Sequence, residues 1–234
     1  MARLARLVIS GLPHHVTQRG NGRARVFFGG GDYALYRDLL AASCRAAEVE
    51  VWAWVLMPNH VHLVLVPGDP DGLRRALAPV HRRYAGHIHA RRRRVGHFWQ
   101  GRFGAVAMDE DHLSAALRYV ALNPVRARLV ARAQDWRWSS VHAHVAGSPD
   151  GITRIEPVLQ RYPDFAGLLA AAGEPGAFDR LRRAESIGRP LGDDAFLARL
   201  ESATGRTLKP LKRGPKPRNH DDATAVGILS ALSP

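Results

Sequence analysis

The chain alternates between two kinds of apolar patterning. Residues Pro13–Arg19 (PHHVTQR) have a strand-like character and run into Gly20, Asn21 and Gly22, which supply a turn. From Asp32 to Val49 the apolar positions Tyr33, Leu35, Tyr36, Leu39, Leu40 and Cys44 recur at helical spacing, with Asp32 placed to cap the start. Two β-branched and aromatic runs, Val51–Met57 and His60–Val66, flank a Pro58–Asn59 turn and predict a β-hairpin. A long basic helix is expected from Leu73 to about Val95, then a strand over Arg102–Met108. A helix over Asp109–Leu122 follows, with acidic residues in its first turn where the helix dipole favours them. The order β, α, β, β, α, β, α predicts an α+β fold: a ferredoxin-like split βαβ sandwich with an antiparallel sheet and one added helix.

Beyond Ser148 the pattern breaks into short helical pieces, roughly Glu156–Ala172, Pro175–Glu185 and Asp193–Thr204, separated by Gly and Pro. The expected organisation is a domain over residues 1–147, a helical extension over 148–205 and a basic tail over 206–234. Arg206–Arg218 holds six basic residues, three prolines and no acid, so the tail is expected to be disordered when free and to favour phosphates.

Charge narrows the partner. Lys and Arg number 34 against 21 acids, a formal net charge of +13. Such an excess favours a polyanion, nucleic acid first, because each neutralised phosphate releases condensed counterions. The alternative is the Arg- and Ala-rich usage of a high-GC genome. Cys44 is the only cysteine and sits in an apolar helical pattern, which excludes an intramolecular disulfide and points to a reducing compartment. Met1–Leu12 has no apolar run long enough for a signal peptide or a membrane span, so a cytoplasmic protein without membrane association is expected.

Three His-x-His triplets occur, at His60/His62, His87/His89 and His142/His144. Only the first falls on an expected strand, where side chains two apart share a face about 6.6 Å apart along the chain and can close on one ion. On a helix, the site of His87 and His89, two apart means opposite sides. His142 and His144 lie in a segment of uncertain structure. The strand pair has two readings, a chelating pair or a half-buried hydrogen-bonded pair. A histidine-triad nucleotide hydrolase is disfavoured because the next same-face position is Val64, and a two-histidine phosphodiesterase because His15–Thr17 has no second His-x-Thr partner. Tyr119 and Asn123, four apart, share a helix face with about 5 to 6 Å between β-carbons. They are either a co-presented phenol and amide, or a packing aromatic and a helix end before Pro124.

The strings MPNHVHLVL (Met57–Leu65), FWQGRF (Phe98–Phe103), LRYVALNPVRARLV (Leu117–Val130) and WRWSS (Trp136–Ser140), in that order and preceded by PHHVTQRGN, resemble the REP-associated tyrosine transposases of the HUH single-tyrosine superfamily. The likeness covers about residues 8–145, and Gly188–Glu201 is similar to an extension of longer members. It implies that residues 1–147 are the catalytic domain, with Tyr119 as nucleophile and His60, His62 and Asn123 as ligands of Mg²⁺ or Mn²⁺. It further implies nicking and rejoining of single-stranded DNA through a 5′-phosphotyrosine, on repeated extragenic palindromic hairpins, by a monomer or homodimer. On this reading Arg82, Arg83, Arg91, Arg92, Arg93, Arg94 and Arg102 contact phosphates, and Trp99, with Phe98 and Phe103, stacks on unpaired bases. The competing reading is a catalytically silent DNA-binding regulator of the same fold.

Overall fold

A computed structural model describes residues 6–171 and 176–208 of the chain. Four strands, β1 (His14–Arg19), β2 (Val49–Met57), β3 (His60–Pro67) and β4 (Gly104–Ala107), form one antiparallel sheet in the order β2-β3-β1-β4. Helix α1 (Gly30–Ala46) links β1 to β2, and α2 (Gly72–Arg92) links β3 to β4. This is the ferredoxin-like arrangement, with β1 held centrally between β3 and β4.

Alternation along β3 divides the interior in two. Val61, Leu63 and Leu65, with Val16 of β1, pack under α1 and α2 against Tyr36, Leu40, Leu73, Leu77 and Tyr84. Val64 and Val66 face the other way, toward α3 (Glu110–Arg126) and its Leu113, Leu117 and Val120. With both faces covered, β2 and β3 read as near-continuous apolar runs, and a polar residue on them stands out.

Among the element boundaries that differ from expectation, which include the split of Glu156–Ala172 into two helices, two have a clear physical cause. Asp32 does not cap α1; Gly29 holds that position, and Asp32 lies in the first turn, 1% exposed, accepting from Phe28 N at 2.8 Å and from the Arg91 guanidinium. Helix α3 does not stop at Leu122 but continues through Pro124 to Arg126, with Asp109 as the cap accepting from His112 N. Pro124 falls in the last turn, where the chain already tightens and Ala127 N and Leu129 N return to Asn123 O and Pro124 O.

After the short α4 (Val141–Ala146) come α5 (Glu156–Arg161), α6 (Phe165–Ala170), α7 (Ala177–Ile187) and α8 (Asp194–Thr204). Val158, Phe165 and Leu181 are buried in the same cluster as Val64, Met108 and Leu117, so the segment beyond 148 shares the core of the sheet's second face. Leu208, at the start of the expected tail, is buried with Leu7, Phe196 and Leu200 rather than free. Residues 209–234 of that tail lie outside the described residues. Among the described residues no helix is long and apolar enough to cross a membrane.

Candidate active site

Strand register assembles the site. In the β1–β3 pair Thr17 stands opposite His62, Arg19 opposite His60 and His15 opposite Val64. Since Val16 and Val61 point to the first face, His15, Thr17, Arg19, His60 and His62 point to the second, beneath α3. His15 is the diagonal neighbour of His62, within reach for long side chains.

Both imidazoles are held through Nδ1. His60 Nδ1 lies 2.6 Å from Asn59 Oδ1, which accepts the Nδ1 proton, and its ring also hydrogen-bonds the Asn123 side chain. His62 Nδ1 lies 3.0 Å from His15 Nε2, and His62 is 1% exposed. The His60 and His62 rings are 4.8 Å apart at 89°. The tie at His62 Nδ1 leaves its Nε2 open, as a metal-binding histidine requires. His62 Nε2 is buried with no hydrogen-bond partner.

Tyr119 and Asn123 sit one turn apart on α3 and meet the pair. The phenol ring lies edge-on to His62 at 5.1 Å and to His15 at 5.6 Å between centroids. Arg126 hydrogen-bonds the Tyr119 side chain and stands 4.9 Å over its ring. Phe178 of α7 covers the ring at 5.3 Å, leaving Tyr119 5% exposed.

Two groups that the sequence reading did not place in the site join it. The His15 ring lies nearly parallel to that of His62, 13° between planes, and Glu185 of α7 brings Oε1 to 3.6 Å from His15 Nδ1 and 3.8 Å from His62 Nδ1. His15, His62 and Glu185 form the one cluster of three ionisable metal-type donors among the described residues, with donor atoms within 4.8 Å of one another. His15 had a signal, because PHHVTQR puts it two residues before Thr17 on the central strand. Glu185 had none, since it sits 123 residues downstream of His62 in a weakly patterned helix.

Burial sets the electrostatics. Loss of water pulls His15 down to about 4; burial and then the Arg19 charge bring His60 to about 3, and burial with its charged neighbours holds His62 well below the usual imidazole range. All three are therefore neutral near pH 7 and present lone pairs. Burial pushes Glu185 up to about 7 against the pull of Arg19 and Arg182. Burial, then Glu185, raises Tyr119, opposed by Arg126 and Arg182. Neutral imidazoles, an amide oxygen and one orphaned buried nitrogen fit a divalent cation, which accepts mixed nitrogen and oxygen donors.

A cleft of about 300 Å³ leads to this cluster, with Arg19, Arg102, Arg182 and Glu185 among its lining residues. Of the arginines expected to touch DNA, Arg102 is the one in the cleft. Arg82 and Arg83 are exposed on α2, the helix that covers the opposite face of the sheet. Arg91 closes on Asp32, and Arg92 lies 4.0 Å over the Phe28 ring. Arg93 and Arg94 are exposed at and just beyond the end of α2. Trp99 is half-buried against Tyr36 and Tyr84 and donates Nε1–H to His81 O at 3.0 Å. Phe103 is buried with the Arg6 guanidinium 3.7 Å over its face, which takes the place a base would need.

Residues 8–123 match the family model described as transposase, IS200-like. Among solved structures, a REP-associated tyrosine transposase bound to a REP hairpin matches with a TM-score of 0.54 and 25% identity, over 65% of this chain and 90% of that one. A putative transposase from Deinococcus radiodurans R1 aligns at 21% identity over 51% of this chain and 95% of that chain, with a TM-score of 0.36, too low to carry an argument. No curated protein matches. With the antiparallel sheet, the helix that brings Tyr119 against a strand-borne histidine pair, the family match and the hairpin-bound relative, the chain belongs through residues 8–123 to the IS200-like transposase family.

Proposed function

We propose that the protein cuts and rejoins single-stranded DNA through a covalent bond between Tyr119 and a 5′-phosphate, with His60, His62 and Asn123 holding Mg²⁺ or Mn²⁺. The observation that carries this is the edge-on contact of the Tyr119 ring with His62, whose buried Nε2 has no partner. When bound, the ion would supply charge neutralisation at the non-bridging oxygens of the phosphate. The chain's own residues do the rest. Arg19, Arg102 and Arg182 draw the backbone into the cleft, and Arg126 orients the phenol.

In the forward step the Tyr119 oxygen bonds to phosphorus and the bond to the 3′ oxygen breaks. The phenol loses a proton and the 3′ oxygen gains one, so charge and protons balance. Because a phosphodiester is exchanged for a phosphotyrosine ester, a second 3′-hydroxyl reverses the step and joins a new strand without a nucleotide cofactor. The hairpin bound by the REP-associated relative makes a DNA hairpin with a flanking single strand the substrate class to test first.

A second reading, a DNA-binding regulator that does not cut, is favoured by one feature: Tyr119 is 5% exposed beneath Phe178. A denaturing gel with end-labelled hairpin DNA and Mn²⁺ separates the two. Shortened strand plus a covalent protein adduct is expected; retarded, intact DNA at every Mn²⁺ concentration would establish the regulator.

A further inference from the structure

We infer that Glu185, from helix α7 beyond the family-matched segment, and His15 of β1 form a relay that fixes the proton on His62 Nδ1 and so keeps His62 Nε2 bare for the cation. This rests on the metal reading above and adds to it two residues that hold a ligand without touching the ion.

The argument is one of protons. His62 can offer Nε2 to a cation only if its own proton sits on Nδ1, and that atom faces His15 Nε2 at 3.0 Å. His15 Nε2 then accepts, which forces the proton of His15 onto its Nδ1. That nitrogen has no hydrogen-bond partner, and the atom it faces, Glu185 Oε1 at 3.6 Å, is likewise buried and unpartnered. Two orphaned buried groups of opposite hydrogen-bonding sense face each other, and each is costly to leave unmade. A small movement of α7 closes the contact, and a cation on His62, by demanding the Nδ1 tautomer, favours that movement.

Ring geometry separates this from a rival arrangement in which His15, His62 and Glu185 themselves coordinate the ion. The two imidazoles are near-coplanar, at 13°, and their centroids are 5.1 Å apart, close to the 3.0 Å nitrogen separation plus the two ring radii. Each ring's lone-pair axis therefore runs toward the other ring. Co-ligands would aim at a third point instead. The pattern is the carboxylate–histidine–metal chain lengthened by one imidazole.

The test uses the full chain and Mn²⁺ alone, read by the electron paramagnetic resonance signal of the free ion, with no DNA present. Glu185→Ala is expected to weaken Mn²⁺ binding by roughly 10- to 100-fold, the range for removing such a support. Glu185→Gln, which keeps an acceptor oxygen, recovers most of that loss, and His15→Ala loses at least as much as Glu185→Ala. In the Co²⁺-loaded protein the visible bands keep their positions in Glu185→Gln, because the donor set is unchanged. Mn²⁺ affinity indifferent to both Glu185 variants overturns the relay and leaves the metal reading intact. A band shift in Glu185→Gln, with affinity as poor as in Glu185→Ala, overturns it in favour of Glu185 as a ligand. A parent protein that binds no Mn²⁺ removes both proposals. Should Glu185→Ala fail to fold by circular dichroism, Glu185→Leu, which fills the same space without an acceptor oxygen, takes its place in the same comparison with Glu185→Gln.

Discussion

The phenol ring of Tyr119 lies edge-on to the imidazole of His62, 5.1 Å between centroids, although the two residues belong to different elements 57 positions apart in the chain. Removing only the hydroxyl tests what this contact is for. Tyr119→Phe keeps the ring against His62, His15 and Phe178 and gives up the bond to Arg126, so stability changes by about 1 kcal/mol. Hairpin affinity by fluorescence anisotropy is expected to stay near that of the parent while the covalent adduct disappears. An adduct formed by the Phe variant would reject Tyr119 as nucleophile.

Arg91 and Arg102 divide along structural lines. Arg91 is paired with the buried Asp32 carboxylate, so Arg91→Ala is expected to lower the urea-unfolding free energy by about 1 to 3 kcal/mol, with little effect on DNA beyond that. Arg102 is exposed in the cleft, so Arg102→Ala leaves stability unchanged and weakens binding. Its salt dependence should lose roughly one phosphate's worth of slope. Equal loss of stability in the two variants would contradict this division.

His81 predicts an acid sensitivity away from the site. It is buried with Nε2 at 3.0 Å from the Tyr36 hydroxyl, and burial, helped by the Arg6 charge, pulls it down to about 3. The folded pKa lies below the unfolded one, so the unfolded chain binds the extra proton. The stability this group contributes is full above the unfolded value near 6.5 and is lost as pH falls toward 3. Between about pH 7.5 and about pH 5 the parent should lose roughly 2 kcal/mol more than His81→Gln does. Parallel losses in denaturant titrations of the two proteins would exclude this role.

Leu181 reports on how the extension is joined. It is 1% exposed, in the same cluster as Val64 and Leu117. We propose that residues 148–205 fold onto residues 1–147 as one cooperative unit. Leu181→Ala should then cost about 2 to 5 kcal/mol and shift a single transition. Two separate transitions, with only the smaller one moved, would show an independent extension.

The sequence was most legible where a local rule acts alone. Strand and helix order followed from periodicity, and the β2–β3 hairpin from Pro58–Asn59 between two apolar runs. The His60–His62 pair stood out because both faces of the sheet are covered, which makes a polar residue on β3 conspicuous. What stayed hidden depends on long-range approach. Asp32 looks like a cap until Arg91, 59 residues away, is seen to claim it. Phe103 looks like a base-stacking ring until Arg6 is found over its face. Glu185 carries no local mark at all; only the packing of α7 against α3 and β4 brings it to the histidines.

Both outer edges of the sheet are partly occupied among the described residues. Along β2, Leu56 N and Ser140 N bond Trp138 O and Trp54 O, and Arg154 N bonds Val51 O. Along β4, Leu191 N bonds Ala107 O and Asp109 N bonds Leu191 O. A neighbouring molecule therefore finds few free backbone donors and acceptors on which to add a strand, which guards against edge-to-edge aggregation. For the same reason the helix surfaces offer a second copy more open ground than either sheet edge does.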